Sequence, residues 1–222
     1  RAKQWKLVDH VAKPQQFEEM VKARAAELAK LSDRPGGQGI ALTPLKRNDD
    51  ENGYHYTHVD VEIDRAARCA TLTVTAPMGR QPDELEEILT QGARWWPLAM
   101  ARELDDAILM LRTNDLDVGL WQIRTRGDIS AVLEADATMA KFKDNWFVRE
   151  TIGMLRRCLR RIDVSSRSIF AVLDEGSCFG GLFFELALAA DRSFMLKIED
   201  DFARAPKVAL SQANFGLYPM NN

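Results

Sequence analysis

Residues Phe170 to Asp191, with the sequence FAVLDEGSCFGGLFFELALAAD, are the most informative about the fold. A short apolar run ending at Leu173 predicts a buried strand, and the segment from Gly176 to Gly181 predicts a turn. The strongly apolar sequence that follows predicts a helix packed into a core. Two adjacent glycines in the turn would let the backbone approach a ligand closely.

The start of this helix carries one acidic residue among apolar neighbours. Helix N-termini present unpaired N–H groups and partial positive charge, which suits a developing oxyanion. Glu185 lies between Phe184 and Leu186, and a carboxylate in such surroundings is costly unless it is paired or used. The sequence therefore favours Glu185 as a general acid or base. A glutamate that faces solvent from the helix is the alternative interpretation.

The rest of the chain predicts an α/β protein. Strand, helix and strand alternate after an opening hairpin, which argues for crossover connections in a sheet. We expect an N-terminal extension and linker over residues 1–56 and one domain over residues 57–222. The predicted elements are a helix over 14–31, a mobile linker over 32–56, a hairpin over 57–76, a helix from Asp83, a kink at Trp95 to Pro97, a helix over 98–113 and a strand from Val118 to Ile123.

Three motifs resemble the enoyl-CoA hydratase (crotonase) superfamily. Glu185-Leu-Ala-Leu-Ala-Ala-Asp191 is similar to its Glu-Leu-Ala-Leu signature, and Gln212-Ala-Asn-Phe-Gly-Leu-Tyr-Pro219 keeps the spacing of its Glu-x-x-x-Gly-x-x-Pro motif. The alternating hairpin from Val59 to Pro77 is similar to the first hairpin of that fold. The resemblance implies a spiral of β-β-α units behind an N-terminal helical extension. It also implies an acyl-CoA thioester as substrate.

Within the superfamily, residues 55 to 222 most resemble the benzoyl-CoA-dihydrodiol lyases. The phrases that carry this resemblance include Ser166-Arg-Ser-Ile-Phe-Ala171 and Asn214-Phe-Gly-Leu-Tyr-Pro-Met220. It implies ring opening of 2,3-epoxy-2,3-dihydrobenzoyl-CoA to 3,4-dehydroadipyl-CoA semialdehyde and formate. The alternatives are an ordinary enoyl-CoA hydratase or isomerase and a non-catalytic CoA-binding module. Superfamily members continue beyond the second motif, so we expect this chain to be truncated at its C-terminal side.

The resemblance also implies roles for individual residues. Gln212 replaces the second acid of the family and cannot transfer a proton, so plain hydration is in doubt. The oxyanion hole would use the N–H groups of Gly180 or Gly181 and of Leu133. A second acid would come from Asp174, Glu175, residues 199–201 or sequence beyond Asn222. Matching the family acid to Glu185 rather than Phe184 requires one extra residue in the turn, which a loop tolerates.

Two further residue types could carry chemistry. Cys178 lies in the glycine turn near a helix N-terminus, an environment that can lower a thiol pKa, so it is a candidate catalytic residue. A small packing residue is the alternative. His55 and His58 form the one closely spaced histidine pair, but no cysteine lies near them in the sequence. We therefore expect no metal site.

Composition limits the class of protein. The chain has 222 residues, 46% of them hydrophobic, and a formal net charge of −3, so a full core is expected and a nucleic-acid partner is not. Three unevenly spaced cysteines favour a reducing, cytoplasmic compartment. No apolar run is long enough to span a membrane. We expect a cytoplasmic homodimer or other homo-oligomer that needs no cofactor, since coenzyme A is part of the substrate.

Overall fold

The computed structural model describes residues 1–32, 36–37 and 39–218. The chain divides into two compact units, Arg1–Ile40 and Ala41–Asn222. The first unit contains helix α1, Pro14–Ala29, which begins with a proline where the free N–H is not needed. The helix predicted over 14–31 is therefore confirmed, and it ends two residues early.

The second unit is built on a seven-stranded sheet in the order β1-β2-β3-β4-β5-β6-β8. Neighbours from β1 to β4 are antiparallel, and β4, β5, β6 and β8 are parallel. Strands β7 and β9 form a separate parallel pair. The strands are β1 Asn48–Asp49, β2 Gly53–His55, β3 Val59–Asp64, β4 Cys69–Thr75, β5 Leu120–Arg126, β6 Ser168–Leu173, β7 Phe179–Gly180, β8 Arg192–Met195 and β9 Val208–Ala209.

Helices connect the parallel strands, as crossover connections require. They are α2 Leu85–Gln91, α3 Trp96–Asn114, α4 Ile129–Lys141, α5 Trp146–Asp163 and α6 Leu182–Leu188, with 3-10 helices at Gly92–Arg94 and Gln212–Asn214. The chain runs through β6, β7 and α6, and then through β8, β9 and a 3-10 helix. Strand β6 pairs in parallel with β8, and β7 pairs in parallel with β9. The predicted α/β class is confirmed, and these two turns have the β-β-α order of the expected spiral.

Large aromatic side chains fill the core beside α3. Trp95 and Trp121 are each 1% exposed, and the predicted kink is the point where the 3-10 helix passes into α3. The Trp96 ring meets the Phe183 ring edge-on, with centroids 5.6 Å apart. Such contacts bury large apolar areas and fix the position of α6 against α3. The core thus holds the helix that carries Glu185.

The prediction of a mobile linker over 32–56 is wrong for its last part. Residues 48–55 form β1 and β2 within the sheet, and the boundary between compact units lies at Ile40 rather than at residue 56. The turn formers close a hairpin instead, since Asp50 Oδ1 accepts the N–H groups of Asn52 at 2.7 Å and Gly53 at 3.1 Å. A Cβ at Gly53 would lie 1.8 Å from the Val61 carbonyl oxygen, so glycine is required there.

Candidate functional site

Glu185 lies inside the protein. Its helix α6 begins at Leu182, directly after the glycine turn, and the side chain of Glu185 is 0% exposed. Leu182, Phe183 and Leu186 are buried around the same short helix. A buried carboxyl needs hydrogen-bond partners, because its desolvation is otherwise uncompensated.

One partner of Glu185 is Asn214, from the 3-10 helix Gln212–Asn214. Asn214 Nδ2 donates to Glu185 Oε1 at 2.6 Å and to the Gly181 carbonyl at 3.0 Å. Its Oδ1 accepts the Ser211 N–H at 2.8 Å. Asn214 is 1% exposed, so this one amide ties the start of α6 to the 3-10 helix.

A second buried carboxyl, Asp136 of α4, completes the cluster. Its Oδ2 accepts the Leu182 N–H at 2.9 Å and the Ser211 hydroxyl at 2.7 Å, and its Oδ1 accepts the Tyr218 hydroxyl at 2.7 Å. Burial raises the pKa of Asp136 to about 6, and the charge of Glu185 adds to the rise, although these three donors oppose it. Burial, together with Asp136, also raises the pKa of Tyr218 well above its usual value.

The two carboxyls and their partners form one hydrogen-bonded group, which we call the Asp136–Glu185 cluster. Its members are Asp136, Glu185, Ser211, Asn214 and Tyr218. Ser211 Oγ donates to Asp136 and its backbone N–H donates to Asn214, which in turn donates to Glu185. A pKa near 6 allows a carboxyl to hold or release a proton close to neutral pH. The cluster can therefore store and transfer protons.

The glycine turn packs directly against this cluster. Gly181 has φ +49, and a Cβ there would lie 1.9 Å from Asp136 Oδ2. A Cβ at Gly180 would lie 2.5 Å from Ile129 Cγ1 at the start of α4. Both glycines are therefore required by close contact with α4, apart from any ligand.

The predicted oxyanion hole is not open in this structure. The Gly180 N–H donates to the Cys178 carbonyl at 2.8 Å, and the Gly181 N–H donates to the Ala209 carbonyl at 3.0 Å. Leu133 lies in the second turn of α4, where N–H groups bond to carbonyls one turn earlier. Local structure explains why these N–H groups are occupied. The end of the glycine turn pairs as strand β7 with β9, and only Gly127 and Asp128 separate β5 from α4, so Leu133 lies within the helix.

Gln212 and Cys178, two of the candidate catalytic residues, lie in different surroundings, since one is exposed and the other is buried. Gln212 is exposed, and Asn214, two residues later, is the amide that contacts Glu185. Cys178 is 0% exposed, its backbone N–H donates to Thr125 Oγ1, and burial raises its thiol pKa to about 11. The glycine turn does not lower the thiol pKa, because desolvation outweighs the hydrogen bond with Thr125 and the nearby charge of Arg126. Pro219 of the second motif lies outside the described residues.

Three of the acids proposed as partners of Glu185 form ion pairs elsewhere, namely Asp174, Glu175 and Glu199. Arg124 and Arg126 both contact Asp174, Arg204 contacts Glu175 at 2.6 Å, and Lys197 contacts Glu199. Sequence reasoning missed Asp136, the second buried carboxyl of the Asp136–Glu185 cluster. The sequence does contain a sign that Asp136 is buried. It shares helical spacing with the apolar residues Val132, Ala135 and Met139, and all four are buried in α4.

The ring of His55 contacts acidic side chains. His55 Nδ1 lies 2.6 Å from Asp60 Oδ1, which raises the pKa of His55. Within the described ranges, no group of three or more His, Cys, Asp or Glu side chains could hold a metal ion. Over the same ranges, no helix has both the length and the apolar character needed to cross a membrane.

Sequence comparison relates the chain to part of a longer protein. It is 60% identical over its full length to benzoyl-CoA-dihydrodiol lyase of Aromatoleum evansii, and it spans 40% of that relative's length. No family model matches the chain.

Structural comparison finds similarity to solved structures at low sequence identity. DspI of Pseudomonas aeruginosa is 18% identical, with a TM-score of 0.44 over 78% of this chain and 58% of that one. An enoyl-CoA hydratase from Bacillus halodurans is 16% identical, with a TM-score of 0.38 over 62% of this chain and 49% of that one.

Proposed function

We propose that this chain is part of a ring-cleaving lyase of the crotonase superfamily, of the benzoyl-CoA-dihydrodiol lyase type. The proposed reaction takes 2,3-epoxy-2,3-dihydrobenzoyl-CoA and two waters to 3,4-dehydroadipyl-CoA semialdehyde and formate. The observation that carries this proposal is 60% identity over the whole chain to a protein of that name. The proposal extends to a cytoplasmic homo-oligomer that uses no cofactor apart from the coenzyme A of its substrate.

In this proposal Glu185 transfers protons to and from water. Asn214 holds Oε1 of Glu185 through a 2.6 Å hydrogen bond and, as an amide, takes no proton itself. Asp136 is the second proton-holding group, since its pKa of about 6 lies close to neutral pH. Two carboxyls in different surroundings are what acid and base roles at one site require.

Substrate access to Glu185 requires a movement of the chain, because Glu185 is 0% exposed. Residues 208–218 carry both Asn214, which covers Glu185, and the Ala209 carbonyl, which accepts the Gly181 N–H. Displacement of this segment would expose the carboxyl and free the Gly181 N–H at the same time. We propose that the thioester carbonyl then accepts that N–H, which supports charge on its oxygen during ring opening.

A non-catalytic CoA-binding module is the second candidate, and the full burial of Glu185 favours it. In that case the Asp136–Glu185 cluster only holds α4, α6 and residues 211–218 together. Turnover separates the two candidates, because a binding module consumes no thioester.

The test is product analysis by mass spectrometry with the protein that contains this chain. The panel consists of the epoxide thioester, benzoyl-CoA and crotonyl-CoA. We expect formate and the semialdehyde thioester from the epoxide alone. Hydration of crotonyl-CoA without consumption of the epoxide would identify the protein as an ordinary hydratase. Binding of a thioester without any product would identify it as a CoA-binding module.

A further inference from the structure

A cleft of about 250 Å³ lies between the start of α3, the start of β3 and residues 43–46. Its polar lining consists mainly of Lys46, Thr57, His58, Arg94, Arg102 and Glu103. All of these residues belong to the second compact unit. The cleft therefore brings together cations, an imidazole and a carboxyl from three separate segments of the chain.

Positive charge dominates the rim of the cleft. Within the part of the chain that the structure describes, Lys46, Arg94 and Arg102 form no ion pair with a carboxylate. Arg102 is held in place by a hydrogen bond from Nη2 to the Thr43 carbonyl at 2.7 Å. Three cations around one concavity repel each other, and an anion bound between them would remove that repulsion.

The floor of the cleft carries a fixed carboxylate. Glu103 is 5% exposed, and its Oε2 accepts the His58 backbone N–H at 2.6 Å. Its second oxygen, Oε1, accepts no hydrogen bond from any residue that the structure describes. Burial lowers the pKa of the His58 imidazole, although the charge of Glu103 opposes this. A neutral imidazole and a free carboxylate oxygen are both able to accept a hydrogen bond from a ligand.

The cleft is separate from the Asp136–Glu185 cluster. Met100 and Leu104 on the inner face of α3 line a small cavity together with Leu182, Phe183 and Leu186 of the site region. Arg102 and Glu103 line the cleft from another face of the same helix. The proposed reaction at Glu185 uses none of the residues in the cleft.

We propose that this cleft binds a small anion through a carboxylate or phosphate group, held by Lys46, Arg94 and Arg102. Guanidinium groups bind both kinds of group in two-point geometry. The first turn of the 19-residue helix α3 contains no acidic residue, so the partial positive charge at this helix end supports the same ligand. Glu103 and His58 would accept a hydroxyl or N–H group of the ligand. This inference stands without the proposed function.

The experiment is isothermal titration calorimetry with two probes, inorganic phosphate and acetate, at constant ionic strength set with sodium chloride. We expect saturable binding of one anion per chain. Arg102→Gln should weaken binding at least about tenfold, since it removes a charge-assisted hydrogen bond to the anion. Binding of phosphate alone or acetate alone identifies the group that the cleft accepts.

Arg112→Gln is the matched control, because Arg112 lies in the last turn of the same helix and does not line the cleft. Its anion affinity should equal that of the wild type. Arg94→Gln changes an exposed side chain that makes no hydrogen bond within the described ranges, so it should fold and still weaken binding. No saturable heat with either probe, or equal weakening by Arg112→Gln, would overturn the proposal.

Amide chemical shifts give an independent measurement. Phosphate should shift the backbone N–H signals of Thr57 and His58, which lie in the wall of the cleft. The N–H signal of Leu182 beside Asp136 should stay in place. Shifts that scale with sodium chloride alone would show general screening and would contradict a site.

Discussion

Asn214 donates its side-chain amide to Oε1 of Glu185 across 2.6 Å, although the two residues lie 29 positions apart. The same nitrogen also donates to the Gly181 carbonyl at 3.0 Å. The family resemblance places Gln212 at the position of the second acid, whereas Gln212 is exposed and Asn214 is the amide that contacts Glu185. The cluster therefore contains a buried amide, Asn214, and a second buried carboxyl, Asp136.

Glu185→Gln should lower kcat for the epoxide thioester at least about a hundredfold and change thioester binding little. The reason is that proton transfer by a positioned carboxyl typically contributes a factor of about 10² to 10⁴. Steady-state kinetics and calorimetric titration of a substrate analogue measure the two effects. Glu86→Gln, an exposed helical glutamate, is the matched control and should behave as wild type. Wild-type kcat in Glu185→Gln would remove the catalytic role.

Asn214→Asp should destabilise the fold by about 3 kcal/mol or more at pH 8, because it places a second buried carboxylate against Glu185. The loss should be smaller at pH 5 than at pH 8, because protonation of either carboxyl removes the repulsion between two like charges. Urea unfolding at both pH values measures it. Gln212→Glu makes the same chemical change on the exposed side of the same 3-10 helix and should cost less than about 0.5 kcal/mol. Equal losses in the two variants would contradict burial of Asn214.

Gly181→Ala should destabilise the protein by about 2 kcal/mol or more. A Cβ at this position would lie 1.9 Å from Asp136 Oδ2, and the backbone has φ +49, which disfavours a side chain. Gly176→Ala is the control, since φ is +79 and nothing lies within 4 Å of the added Cβ. That variant should cost only about 1 kcal/mol. Urea unfolding of both variants separates the clash from backbone strain.

Asp136→Asn should change how stability depends on pH. The pKa of Asp136 rises from the usual 3.8 to about 6 in the folded protein, so the folded state holds the extra proton between these values. The contribution of Asp136 to the free energy of unfolding therefore falls as pH rises from 3.8 to about 6. The total fall is about 3 kcal/mol. The variant should lack this loss. Urea unfolding at several pH values from about 4 to 7 compares it with wild type.

Asp174→Asn is the control of opposite sign. Burial raises the pKa of Asp174, but the hydrogen bond and charge of Arg126 and the charge of Arg124 outweigh burial and lower it overall. Stability from this group is therefore present above its unfolded pKa and is lost as pH falls. Asp174→Asn should lose less stability on acidification than wild type. If both variants shifted the pH profile in the same direction, the assignment of Asp136 would be wrong.

Cys178 should resist alkylation by iodoacetamide at pH 8 in the folded protein. It is 0% exposed and its thiol pKa is raised to about 11, so little reactive thiolate exists. The half-exposed Cys69 should react first. Peptide mass spectrometry measures both sites. Cys178→Ala should keep most of the activity, and a large loss of kcat in a folded variant would restore the catalytic assignment.

Local sequence was sufficient for the elements that carry the site. The apolar run before Leu173, the glycine turn and the apolar helix from Leu182 were predicted correctly, because hydrophobic periodicity and glycine placement act over a few residues. The motif spacing likewise identified Glu185 as the acid of that helix. The hairpin at 48–55 was missed, because its strands are two and three residues long.

Tertiary structure alone decided which groups surround Glu185. Asp136, Ser211 and Asn214 come from segments far apart in the chain, and only packing of α4 and residues 211–218 against α6 brings them together. Burial also raises the thiol pKa of Cys178, and burial depends on distant residues that a local pattern does not reveal. Motif spacing identified Glu185, whereas desolvation and long-range hydrogen bonds determine which groups surround it.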